Sequence, residues 1–244
     1  RNLLSEKELD YSLTFLQKLL QLKYPANPCS NAVDKAASVS SHLTHAMNID
    51  SNAQSILYDI MARSEATHTL STNYKILGVI KVLLSDTFSI HEKKILLMSP
   101  PYEEWHLARW HQDHYYNGGP ENSCTVYAPL QKTNLVNGGL SIALGAHLNG
   151  SIAHDSKDSN NKWNTIAAKR IEAFAEVCEI QLEKGDVLFL HSLVPHTANV
   201  NQTDKVRFVA NFRYQDLSNE DFMSKGWRIE NLEEARRALG SKNV

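Results

Sequence analysis

Leu9, Leu13, Leu16, Leu19 and Leu20 recur three or four residues apart, the spacing of one apolar face of a helix. Ser5, with Glu8 three residues later, predicts a capping box at its start. Pro25 and Pro28 close the segment. Further helices are predicted over about 31–47, 55–63 and 74–84. From Ile95 the texture changes to short β-branched runs between turn residues. A strand over Thr125–Leu130 follows the loop Asn117, Gly118, Gly119 and Pro120. Another, Leu140–Leu144, follows Asn137, Gly138 and Gly139, which suit a turn. Val177–Leu182 alternates apolar and polar residues. Lys184, Gly185 and Asp186 make a turn into the apolar run Val187–Leu190, and Arg207–Tyr214 is a further strand. Helices first and strands later predict an α+β domain, with the strands forming a two-sheet jelly roll backed by helices.

The chain reads as a single domain over residues 1–244. Residues 1–94 form mainly helical support, 95–214 the jelly-roll core and 215–244 a C-terminal extension. Residues 149–164 are rich in Ser, Asn, Asp and Lys, a long loop and a candidate lid. Leu232–Leu239 reads as a short, charged terminal helix.

Composition narrows the function classes. Hydrophobic residues make up 42% of the 244 positions and charged residues 21%, enough to bury a core. The net charge of −2 and the lack of a basic run argue against a nucleic-acid partner. The longest apolar runs are too short for a membrane span. Charged Glu6, Lys7, Glu8 and Asp10 are unlike a signal peptide. The three cysteines, Cys29, Cys124 and Cys178, are odd in number and far apart, which argues against a disulfide framework and a thiolate zinc site. A cytoplasmic protein acting on a small molecule is expected; nothing in the pattern sets an oligomeric state.

Chemistry concentrates at Trp110, His111, Gln112, Asp113 and His114. On a strand, His111 and Asp113 would point to one face. A second histidine from elsewhere would complete two imidazoles and one carboxylate on one side of a metal, the facial set of non-haem iron(II) oxygenases. Downstream, the run from Lys184 to Leu190 leads to His191 and then His196, and Arg207 follows eleven residues later. Arginine suits a carboxylate held by parallel hydrogen bonds. Arg207, Val209, Asn211 and Arg213 share one strand face, and Phe208, Ala210, Phe212 and Tyr214 the other. The second set is core; the first, with two arginines, suits a polar cavity.

These pieces resemble the phytanoyl-CoA dioxygenase family of Fe(II)- and 2-oxoglutarate-dependent oxygenases. The likeness rests on Trp110 to Asp113, Asn137 to His147, Gly185 to Ser192, and His196 with Arg207. It covers roughly residues 95–214, with the helical front only loosely comparable. It implies a double-stranded β-helix, Fe(II) held by His111, Asp113 and His196, and 2-oxoglutarate held by Arg207. His196 is preferred to His191 as third ligand by its place after the strand and its spacing to Arg207. Tyr127 falls where the family often has an aromatic residue beside the co-substrate. Ala198 stands where many relatives have a small hydroxyl-bearing residue; Thr197 is the candidate substitute. The implied reaction consumes O₂ and 2-oxoglutarate, releases succinate and CO₂, and hydroxylates a substrate. Desaturation, cyclisation or epimerisation on the same site is the alternative outcome, and a cupin-type metal hydrolase or lyase the alternative class. Arg109, Tyr115, Asn211 and Arg213 are candidate substrate-pocket residues, favouring a polar or anionic small molecule.

Overall fold

The computed structural model describes residues 1–25, 34–92, 94–104, 107–154, 156–157, 164–172 and 176–227. Pro28, Cys29, the first residues of the expected second helix, residues 155 and 158–163 of the candidate lid and the expected terminal helix over 232–239 lie outside the described residues.

Five helices come first: α1 (Glu6–Lys23), α2 (Lys35–Ile49), α3 (Ala53–Ala62), α4 (Glu65–Ser71) and α5 (Tyr74–Leu83). The capping box is formed: Glu8 N donates to Ser5 Oγ at 3.3 Å and Ser5 N donates to the Glu8 carboxylate at 2.7 Å. Glu8 also accepts from Lys75 Nζ at 2.9 Å and Asn73 Nδ2 at 2.7 Å, so one side chain joins the starts of α1 and α5. The sequence pattern does not predict α4. It has seven residues, of which Thr67, His68 and Thr69 are indifferent helix formers; the Ser64 cap on Thr67 N marks its start.

The remaining elements are β1 (Phe88–Ile90), β2 (Ile95–Ser99), α6 (Asp113–Asn117), β3 (Ser123–Pro129), β4 (Leu140–Ala143), β5 (Ser156–Lys157), β6 (Asn164–Thr165), α7 (Ala168–Glu172), β7 (Val177–Glu179), β8 (Leu188–His191), β9 (His196–Ala198), β10 (Arg207–Asp216) and α8 (Glu220–Ser224). The large sheet runs β1-β10-β3-β8, with β2 also paired to β10, and a smaller sheet runs β7-β4-β9. Pairing within both is antiparallel. This is the expected α+β, two-sheet arrangement.

Strand β10 organises the core through its two faces. Phe208, Ala210, Phe212 and Tyr214 are buried with Leu9, Leu13, Leu16 and Leu20 of α1 in the cluster between helices and sheet. Val209, on the opposite face, packs with Tyr127, Leu140, Ile142 and Leu190 between the two sheets. Gly185 makes the turn before β8 with φ +100°, and a Cβ there would meet Leu4 O at 2.8 Å. The absent side chain lets Leu4 N donate to Gly185 O at 3.0 Å, which fastens the N-terminus to the sheet. Among the described residues no helix is long and apolar enough to cross a membrane.

Two expectations follow. Phe212→Ala empties a fully buried position and should cost ~3–5 kcal/mol, whereas Val82→Ala, at a residue 84% exposed, should stay within ~0.5 kcal/mol; urea unfolding with an unchanged slope checks both. The Glu8 carboxyl is lowered to about 2, first by Ser5 and then by Lys75. A depressed carboxyl stabilises the fold fully above its ordinary value of 4.5 and loses that contribution as pH falls towards about 2. Acid unfolding of Glu8→Gln should therefore show a weaker pH dependence across that window; an unchanged profile would contradict the role given to Glu8.

Candidate active site

His111 enters the site through the backbone. It is not part of a strand: it forms an isolated antiparallel bridge with His196 at the head of β9, through His111 N to His196 O at 3.0 Å and His196 N to His111 O at 2.9 Å. Asp113 then opens α6 instead of continuing a strand as the alternation predicted. Gln112 is extended (φ −105°, ψ 134°), and that one residue suffices to bring His111 and Asp113 to the same side.

The two imidazoles are held alike. His111 Nδ1 lies 2.7 Å from Arg109 O and His196 Nδ1 3.0 Å from Val194 O. A carbonyl only accepts, so each Nδ1 carries a proton, which leaves Nε2 as the atom able to ligate a metal. His111 Nε2 is 3.8 Å from Asp113 Oδ1. One ligand atom from each of His111, Asp113 and His196 falls within 4.8 Å of the others, and all three residues are buried. Burial is the largest influence on Asp113 and by itself raises its pKa; Arg213, His111 and His196 outweigh it and hold the carboxyl well below its usual range. Burial, then His111, pushes His196 down to about 4. A buried carboxylate beside two imidazoles is a donor set that suits a divalent metal.

The carboxylate is oriented from two sides. Thr125 Oγ1 donates to Asp113 Oδ2 at 2.5 Å, and Arg213 Nη2 to Oδ1 at 3.3 Å. Thr125 was not among the residues singled out from sequence. Its signal was its parity: it lies two residues before Tyr127 and so shares that inner face. Gln112, also unassigned from sequence, is fully buried. Its amide nitrogen donates to Gly150 O at 2.9 Å and Leu193 O at 2.8 Å, and its oxygen accepts from Ile152 N at 2.7 Å. Its backbone N donates to His154 Nε2 at 2.9 Å.

Arg207 lies buried on the inner face of β10, where Nη1 donates to the Tyr127 hydroxyl at 2.6 Å and Nη2 to Ser99 Oγ at 2.8 Å. Its Nε is buried with no partner, an orphaned donor of the kind a carboxylate completes. The donor set and this orphan fit a ferrous ion and a dicarboxylate respectively. Asn211 and Arg213 share the face, as their parity required. The structure does not bring Thr197 or Arg109 to it. Thr197 alternates with the inward His196, so its hydroxyl turns outward to Ala108 O at 3.4 Å. Arg109 pairs with Glu104 at 3.3 Å, and Arg109 and Thr197 line an outer groove of about 700 Å³. Tyr115 is stacked on His154 at 4.0 Å; it is Tyr116, whose ring lies 5.5 Å from His111, that stands beside the triad. His191 accepts from Leu193 N at 3.2 Å and faces His147, outside the triad.

The family model for phytanoyl-CoA dioxygenase (PhyH) matches residues 1–209. The chain belongs to the phytanoyl-CoA dioxygenase family. This match extends through the helical front, where the motifs gave only a loose likeness. The chain is accordingly a non-haem iron oxygenase that uses 2-oxoglutarate. Solved structures share its fold, the double-stranded β-helix. The apo non-haem monooxygenase ThoJ is 21% identical with a TM-score of 0.59, over 87% of this chain and 71% of that one. The epimerase SnoN, solved with Fe³⁺, α-ketoglutarate and nogalamycin RO, is 18% identical with a TM-score of 0.59, over 88% and 77%. EctD from S. alaskensis, solved with 2-oxoglutarate and 5-hydroxyectoine, is 19% identical with a TM-score of 0.52, over 65% and 55%.

Removing the partner of Asp113 Oδ2 should loosen the metal site without removing a ligand. Thr125→Val should weaken Fe(II) binding by ~10–100-fold in an anaerobic competition titration, with the melting temperature nearly unchanged; wild-type affinity would refute the orienting role.

Proposed function

We propose that this PhyH-family enzyme hydroxylates a polar small molecule, with Fe(II), 2-oxoglutarate and O₂ consumed and succinate and CO₂ released. The observation that carries this reading is the convergence of His111, Asp113 and His196, with Arg207 buried on the adjoining inner strand. A hydrolase would need the metal but would have no use for a buried guanidinium with an orphaned donor.

Bound iron supplies oxygen activation coupled to decarboxylation of the 2-oxo acid. The protein's own part is to place charge and exclude water. His111 and His196 present fixed lone pairs, and Asp113 contributes the single negative charge. Arg207 would grip the far carboxylate of 2-oxoglutarate, with Tyr127 and Ser99 fixing its guanidinium plane. The retained carboxylate ligand favours hydroxylation over halogenation, since no ligand site is left for a halide. Asn211 and Arg213 form the polar wall assigned to substrate. Free Cys124 and Cys178 support a reducing, cytoplasmic setting.

The test is anaerobic addition of Fe(II) and then 2-oxoglutarate, followed by visible absorption. The wild type should develop a metal-to-ligand charge-transfer band that Asp113→Ala abolishes. Arg207→Gln should require at least ~30-fold more 2-oxoglutarate, as expected when one partner of a buried charge pair is lost. Tight zinc binding with no such band, and hydrolysis without O₂, would overturn the reading.

A further inference from the structure

Arg213 is only partly engaged. Its Nη2 makes one bond to Asp113 Oδ1 at 3.3 Å, while Nε and Nη1 are buried and donate to nothing. A guanidinium serving only to orient Asp113 would fork onto both carboxylate oxygens, but Oδ2 is taken by Thr125. Two residues earlier on the same strand face, Asn211 Oδ1 is also buried without a partner. Both residues lie beyond the stretch matched by the family model, so family membership assigns them nothing.

The local charge does not close either. Arg207 and Arg213 are positive, Asp113 is negative, and the two histidines ligate as neutral imidazoles. The set therefore carries one excess positive charge. Fe(II) with the 2-oxoglutarate dianion adds no net charge, so the excess persists in the loaded enzyme. Among the described residues, Asp113 is the one carboxylate in ion-pair contact with either arginine. A buried, half-paired cation is costly, and a group of opposite charge relieves it.

We propose that Arg213 recognises a carboxylate on the substrate next to the metal, while Asn211 Oδ1, an orphaned acceptor, takes a hydrogen bond from a donor of the same substrate. The inference rests on the oxygenase reading and adds the substrate's chemical class to it. A carboxylate carries the single negative charge needed, whereas a phosphate ester brings about −1.5 to −2. Arg213 thereby has two tasks: one nitrogen positions a metal ligand, and the others select the substrate.

The test uses anaerobic protein saturated with Fe(II) and 2-oxoglutarate, titrated calorimetrically with matched probes: N-acetylglycine against N-acetylglycinamide, and hexanoate against hexanamide. Each acid should bind at least ~10-fold more tightly than its amide while the charge-transfer band persists. Arg213→Gln should erase that preference and Arg213→Lys should keep part of it, each measured with Fe(II) and 2-oxoglutarate raised until the charge-transfer band is fully formed. Should Arg213→Gln fail to fold, Arg213→Lys is the second variant and should shrink the preference, whereas Asn211→Ala should weaken N-acetylglycine and N-acetylglycinamide alike and leave the preference in place. Equal binding of acids and amides, a preference that survives Arg213→Gln, or acids that bind only by displacing 2-oxoglutarate would overturn the proposal and leave the oxygenase reading standing. Failure of the wild type to form the band at all would bring down both.

Discussion

Two backbone hydrogen bonds, exchanged between His111 and His196, bring together ligands that are far apart along the chain. Neither imidazole has to reach for the other; the bridge sets their Cα positions, and neighbouring carbonyls set their ring orientations. The cost of gathering the site is thus met by main-chain pairing of the same kind that builds the sheets. Asp113 needs only one extended residue to join them. Its charge is tolerable in a buried position because Thr125 and Arg213 occupy both of its oxygens.

Strand β10 is the second constraint. It pairs with β1, β2 and β3 and divides the molecule by alternation alone. One face closes the helical core; the other carries guanidinium groups towards the space between the sheets. A one-residue slip would exchange these faces, putting Phe212 beside the metal-ligand triad and Arg213 against α1. The long pairing of β10 with its neighbours therefore protects the chemistry as well as the stability.

What could be read from the sequence depended on range. The capping box, the leucine face of α1 and the two faces of β10 have periods of a few residues, and each appears as the pattern requires. His111, Asp113 and His196 were readable through motif likeness, but the local geometry was not: a bridge of one residue has no periodicity to detect, so the alternation wrongly extended a strand through Asp113. Thr125 and Gln112 escaped because their partners lie 12 and about 40 residues away. Thr197 was misplaced because its neighbour His196 takes the inward position, and adjacent residues on a strand cannot share it. Tyr115 gave way to Tyr116 for a related reason: α6 begins at Asp113, and its turn, not a strand's alternation, decides which ring faces His111.

Gln112 has a consequence for how this protein can be altered. Its side chain sits between two metal ligands and is bonded to Gly150, Ile152 and Leu193, while its backbone is capped by His154. The stretch from Gly150 to His154 is therefore an extension of the iron pocket's frame, despite its loop-like composition. Splicing in the corresponding segment of a relative to change selectivity would have to begin after His154. A junction placed earlier would strip partners from a buried amide and shift the metal's own scaffold along with the wall being redesigned.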